Sequence, residues 1–242
     1  RLSLVGSEMC IRDRYVFHES GTLVSGIIGG LYSSTATISV LARKSRKASE
    51  QEATDYVAAM LLAVSMMFLR FMILILIFSR EIFLSIYPYL LTMAVVAAIV
   101  AWFIHSRQKR PEDQSAETEE DDSSNPLEFK VALIFAVLFV IFTFLTHYTL
   151  VYAGTGGLNL LSFVSGFSDI TPFILNLLQN TGSVAALIIT ACSMQAIISN
   201  IMVNMFYALF FAGKGSKLRP WILGGFGVVI ACNLVLLLFF YI

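Results

Sequence analysis

The chain has 242 residues, of which 57% are hydrophobic and only 13% charged, and its formal net charge is zero. Soluble domains carry roughly 25% charged residues, so these values and a mean hydropathy of +0.80 exclude an ordinary soluble domain and predict an all-α, polytopic membrane protein. The missing basic excess excludes a nucleic-acid partner. The three cysteines show no paired spacing, which excludes a disulfide framework or a metal knuckle.

The chain opens on RLSLVGSEMCIRDR. This stretch has neither the apolar centre nor the cleavage site of a signal peptide. Leu4 to Asp13 is what the transposon-adapter DNA of a sequencing library encodes in one frame. Residues 1–14, Cys10 among them, are therefore expected to be non-native, and the native N-terminus to be missing. The expected organisation is an adapter-derived 1–14, a truncated first membrane repeat over 15–104, a charged linker over 105–130 and a second membrane repeat over 131–242.

A membrane-crossing helix needs ~20 largely apolar residues. Seven segments approach that length: 22–42, 55–78, 82–104, 131–153, 157–179, 183–212 and 220–242. The first and fifth are polar at their centres. GGLYSSTAT interrupts the first and SGFSDITPF the fifth. Gly26 and Gly30 form a GxxxG spacing that permits close helix approach. In the fifth segment, Thr171 is expected to cap a helix that starts at Pro172, a favoured first-turn residue. That helix is too short to cross, so the segment reads as two half-helices around a break. The linker carries an acidic run, Glu117 to Asp122, that reads as a solvated loop. Cys192 and Cys232 lie in apolar runs and read as packing residues, and His147 reads as an interfacial residue.

The two polar breaks align. Gly30, Thr35 and Ile38 fall opposite Gly166, Thr171 and Ile174. Downstream, VAAMLLAVSMM (57–67) falls opposite VAALIITACSM (184–194), and YPYLL (87–91) opposite RPWIL (219–223). A duplication with interrupted helices follows. In transporters such repeats build the site between them.

GGLYSSTATISVLARKSR, LLAVSMMFLRFMIL, NPLEFK and GLNLLSFVSGFSDITPFILNLL resemble the C-terminal membrane domain of MgtC/SapB family proteins, known as domain of unknown function 4010. The resemblance covers about residues 15–242. It implies a multi-pass protein of a bacterial inner membrane with an MgtC-like domain upstream as its partner in the intact protein. It also implies one more helix before the GGLYSSTAT run, with Tyr15-Val16-Phe17 as its tail. The family commonly places Asn and then Lys, four residues apart, in the sixth segment; this chain has Asn200 and Asn204. No reaction is implied.

Lys and Arg accumulate on the cytoplasmic side of membrane proteins. If all seven segments cross, the loop charges divide eight against four. If 157–179 enters and leaves on one face, Arg43, Lys44, Arg46, Lys47, Arg107, Lys109, Arg110, Lys130, Lys214, Lys217 and Arg219 share a side, and Arg80 alone faces them. The second arrangement fits the rule better, and by the repeat it makes the halves inverted.

Two ionised residues stand inside apolar segments, Arg70 and Asp169. Each costs about 2.5–3.5 kcal/mol at a helix centre and is expected to face protein or water. One reading pairs them structurally, or has Arg70 snorkel toward the interface. The other builds an ion or solute site from Asp169, Thr171, Ser33, Ser34, Thr35, Thr37, Arg70 and Asn200, a donor set of hydroxyls and a carboxylate that suits a hard cation. No phosphate-binding glycine loop, HExxH or nucleophile elbow occurs, so neither an enzyme, a metal centre nor a cofactor is expected. The lipid bilayer is the first partner, and a homo-oligomer is left open. Two functions fit: a transporter of a small ion or solute, or a non-transporting module that regulates or scaffolds an MgtC-like partner.

Overall fold

A computed structural model describes residues 21–46, 50–107, 127–167, 169–179, 185–213 and 218–241. Residues 1–14, Tyr15 to Phe17 and the acidic run of the linker lie outside the described residues. Those described form seven α-helices and no strand: α1 (Gly21–Lys44), α2 (Glu50–Phe78), α3 (Arg80–Ser106), α4 (Leu127–Ser165), α5 (Ile170–Gln179), α6 (Ala186–Ala212) and α7 (Arg219–Tyr241).

Among the described residues, five stretches are long and apolar enough to cross a membrane: Gly21–Lys44, Thr54–Phe78, Arg80–Ser106, Ala186–Ala212 and Arg219–Leu238. This is a multi-pass membrane protein. Two of the seven segments read in the sequence are not among these five. Segment 157–179 is two short apolar helices, Gly156–Ser165 and Ile170–Gln179. Segment 131–153 lies in α4, which turns at Gly154, where a φ of 58° requires glycine.

The first helix is folded back on itself. Ser33 has extended backbone (φ −156°, ψ 106°), which splits α1 into two arms. A methyl group on Gly29 would collide with the side chain of Thr37. In a straight helix those residues would be ~12 Å apart along the axis, so the arms lie against each other as a hairpin with Ser33 at its tip. The outgoing arm runs parallel to α2. Gly26 abuts the backbone of Ala59, and a methyl on Gly30 would come within 2.6 Å of the Ala63 Cα. Glycine here permits backbone contact, the role its GxxxG spacing suggested.

The second half repeats this construction. Asn159 pairs with Cys192, Ser162 with Gln195, and Gly166 packs on Ser199. Each partner lies 33 positions further on, as Ala59 and Ala63 do from Gly26 and Gly30. The arm Gly156–Ser165 therefore runs parallel to α6, and α5 must return to the end where α6 begins. These contacts correct one expectation. They make 57–67 equivalent to 193–203, not to 184–194. The glycine contacts set the register, whereas Ala-, Met- and Leu-rich helices resemble one another under many shifts.

The hairpins enter from opposite ends. Arg46 donates from Nε to the Phe211 carbonyl and from Nη2 to that of Phe210 (3.3 Å), so the end of α1 meets the end of α6. His105, at the end of α3, meets Asp55, near the start of α2, at 2.7 Å. One end of the molecule thus gathers Arg43 to Arg46, Arg107 and Arg219. The other holds Arg80, Gly156 and Ala186. This is the geometry of inverted halves.

Candidate functional site

The hairpin tips meet in mid-protein. Ser33 is the cap of the returning arm of α1, its Oγ accepting from the Ala36 N–H at 3.3 Å. Thr37 Oγ1 donates to the Ser33 carbonyl at 2.8 Å. At the aligned position of the other half, Asp169 Oδ1 accepts from the Thr171 N–H at 2.9 Å. Asp169 is thus the cap of α5, and the expectation that Thr171 caps a helix from Pro172 is corrected. Pro172 sits one turn in, where its missing N–H leaves no bond unmade.

Breaking a helix frees carbonyls that cannot be left bare at membrane depth. Each half supplies a side chain from its following long helix. Arg70 of α2 donates from Nη1 to the Tyr32 carbonyl at 2.6 Å. Asn200 of α6 donates from Nδ2 to the Gly166 carbonyl at 3.2 Å. Ser199 does the same for Phe163 at 2.7 Å. Arg70 also crosses between halves, its Nη2 donating to Thr171 Oγ1 at 3.0 Å. Asn204 donates to Asn200 Oδ1 at 3.1 Å.

Between the tips and the basic end lies a cavity of about 500 Å³. Ser33, Ser34, Thr35, Arg70, Asp169 and Asn200 line it. Thr171 reaches it only through Arg70, and Thr37 faces Gly29 inside its own hairpin. Asp169 is exposed, not sequestered. Among the described residues no carboxylate lies within 4.0 Å of the Arg70 guanidinium, so the two ionised residues form no direct pair. Their link runs through Thr171, whose N–H serves Asp169 and whose hydroxyl serves Arg70.

The lining includes residues that the sequence did not point to. Ser39, Arg43, Tyr207 and Phe211 form the part nearer the basic end, with the Arg43 guanidinium 4.4 Å from the Phe211 ring centre. Tyr207 stands two turns beyond Asn200 on the same helix face, a spacing that could have suggested it. Arg43 and Phe211 meet only because the arms of α1 return to the end of α6.

With this geometry in view, comparison with known proteins gives the family. Residues 11–212 match the family described as "Domain of unknown function (DUF4010)", and the chain belongs to it. An uncharacterized protein of Aquifex aeolicus (strain VF5) is 25% identical over 224 residues, covering 90% of this chain and 94% of that protein. No solved structure matches.

Proposed function

We propose that this protein moves a small ion or solute across a bacterial inner membrane and catalyses no covalent step. The observation that carries the reading is the meeting of two hairpin tips, entering from opposite ends, on one cavity that Arg70 and Asp169 both line. Interrupted helices related by inverted repeats place substrate sites near the bilayer midplane, and rocking of one repeat against the other opens them alternately. The sequence reading of the donor set as a hard-cation site is set aside, because Arg70 and Arg43 line the same space as the single carboxylate.

The test is flux through the purified intact protein in proteoliposomes, recorded as uptake of isotope-labelled sodium, potassium, magnesium, chloride, carboxylates and amino acids under imposed gradients. Protein-dependent flux that disappears with Asp169→Asn is expected. A folded protein that passes none of these would return the chain to the other reading, a non-transporting module that regulates or scaffolds an MgtC-like partner.

A further inference from the structure

The two halves perform the same structural tasks with different chemistry, and the difference is charge. The tip of the second hairpin is capped by the Asp169 carboxylate; the first is capped by the Ser33 hydroxyl. The freed Tyr32 carbonyl is held by the Arg70 guanidinium; the freed Gly166 carbonyl is held by the Asn200 amide. Serine and asparagine show that neither task requires an ion. Yet the chain places an ion of each sign at the meeting tips, Asp169 exposed and Arg70 partly buried. The two do not offset each other by contact, since no carboxylate lies within 4.0 Å of Arg70 among the described residues.

Both ions line the cavity and keep unused bonding capacity. Asp169 spends one oxygen on the Thr171 N–H, and among the described residues its other oxygen has no partner. A guanidinium has five N–H donors. Arg70 spends one on Tyr32 and one on Thr171, and its Nε is buried without a partner. One N–H remains on each terminal nitrogen. Thr171 fixes the spacing between the charges, because it binds Asp169 through its backbone and Arg70 through its hydroxyl. Arg43 adds a second cation, but it lies over the Phe211 ring toward the basic end.

We infer that the cavity takes a small zwitterionic solute, one with a carboxylate and an ammonium a few atoms apart, as in an α-amino acid. This rests on the reading of the cavity as a transport site. The solute's carboxylate would accept from Arg70, whose planar fork suits it. Its ammonium would donate to the free oxygen of Asp169. Asn200 and the hydroxyls of Ser34 and Thr35 complete the polar wall, and about 500 Å³ leaves room for a side chain.

Binding to the intact protein in detergent, by calorimetry and thermal shift, tests the inference. The probes are the twenty common amino acids singly, with acetate and methylammonium as the two separated charges, at fixed ionic strength. At least one amino acid should bind about tenfold or more tightly than either half-probe, the yield of one additional charge-assisted hydrogen bond. Asp169→Asn preserves a capping side chain and should fold; it should lower amino-acid affinity to the level of acetate and leave acetate unchanged. Arg70→Gln should abolish the acetate response. Acetate binding as tightly as every amino acid, methylammonium or inorganic cations binding best, or folded protein that binds no amino acid would each overturn the inference. Amino-acid binding without flux would sink the transport reading alone. Flux of an inorganic ion without amino-acid binding would sink the zwitterion alone.

Discussion

Replacing Asp169 separates a cap from an ion pair. The carboxylate accepts one backbone bond, from the Thr171 N–H at 2.9 Å, and no cation touches it within 4.0 Å among the described residues. Asparagine caps helices about as well as aspartate. Asp169→Asn should therefore change stability by less than about 0.5 kcal/mol. Alanine removes the acceptor, and Asp169→Ala should lose about 1 kcal/mol. Ser33 does the same job at the aligned position, so Ser33→Ala should lose a similar amount, about 1 kcal/mol. For a chain of this size that is a fall of about 2–4 °C in Tm. Thermal unfolding of the three variants in one detergent is the assay. Breaking a buried ion pair by removing one partner costs about 3–5 kcal/mol. A loss of that size in Asp169→Asn would refute the cap reading and restore direct pairing with Arg70.

Two further predictions concern the frame. Gly30→Val and Gly166→Val should each prevent stable folding, because a methyl at Gly30 would approach the Ala63 Cα to 2.6 Å and one at Gly166 the Asn200 nitrogen to 2.7 Å; Gly224→Val, with nothing within 4 Å, should fold, and monodispersity by size exclusion compares the three. Single cysteines at Lys44, Arg107 and Arg219 should react with an impermeant thiol reagent from the cytoplasmic side only, and cysteines at Arg80 and Gly156 from the outside only; labelling of positions 44 and 219 from opposite sides would contradict the inverted halves.

Much of the frame was legible because membrane chains leave few reasons for polar residues. GGLYSSTAT and SGFSDITPF interrupt apolar segments, and both are helix breaks. Gly30 and Gly166 aligned in sequence and do the same packing in space. Arg70 and Asp169 stood out by charge, and both line the cavity. What was not legible depends on long-range placement. Thr171 and Asp169 are both good caps, and sequence cannot say which adopts the capping geometry. The register of the long helices was misread because their apolar composition repeats. Arg43 and Phe211 are 168 positions apart and meet through the return of α1 to the end of α6, which no local pattern encodes.

The cavity extends from the tips toward one end only, and α6 carries that asymmetry along its length. Tyr207 and Phe211 line the part nearer the basic end. Ser193 stands two turns on the other side of Asn200, on the same helix face. It is 1% exposed, and its hydroxyl has no partner among the described residues. Thr190, one turn further, is the same. A buried hydroxyl without a partner is unfavourable, and two in succession on one face are hard to assign to packing alone. On the transport reading they need no separate account. The first hairpin reaches the tips from the basic end, and the second from the opposite end. An inverted pair of halves that exchanges shapes would close the cavity beside Tyr207 and open one beside Ser193 and Thr190. Water or solute would then satisfy those hydroxyls. The same face of α6 would thus serve both conformations, with Asn200 and the two hairpin tips fixed between them.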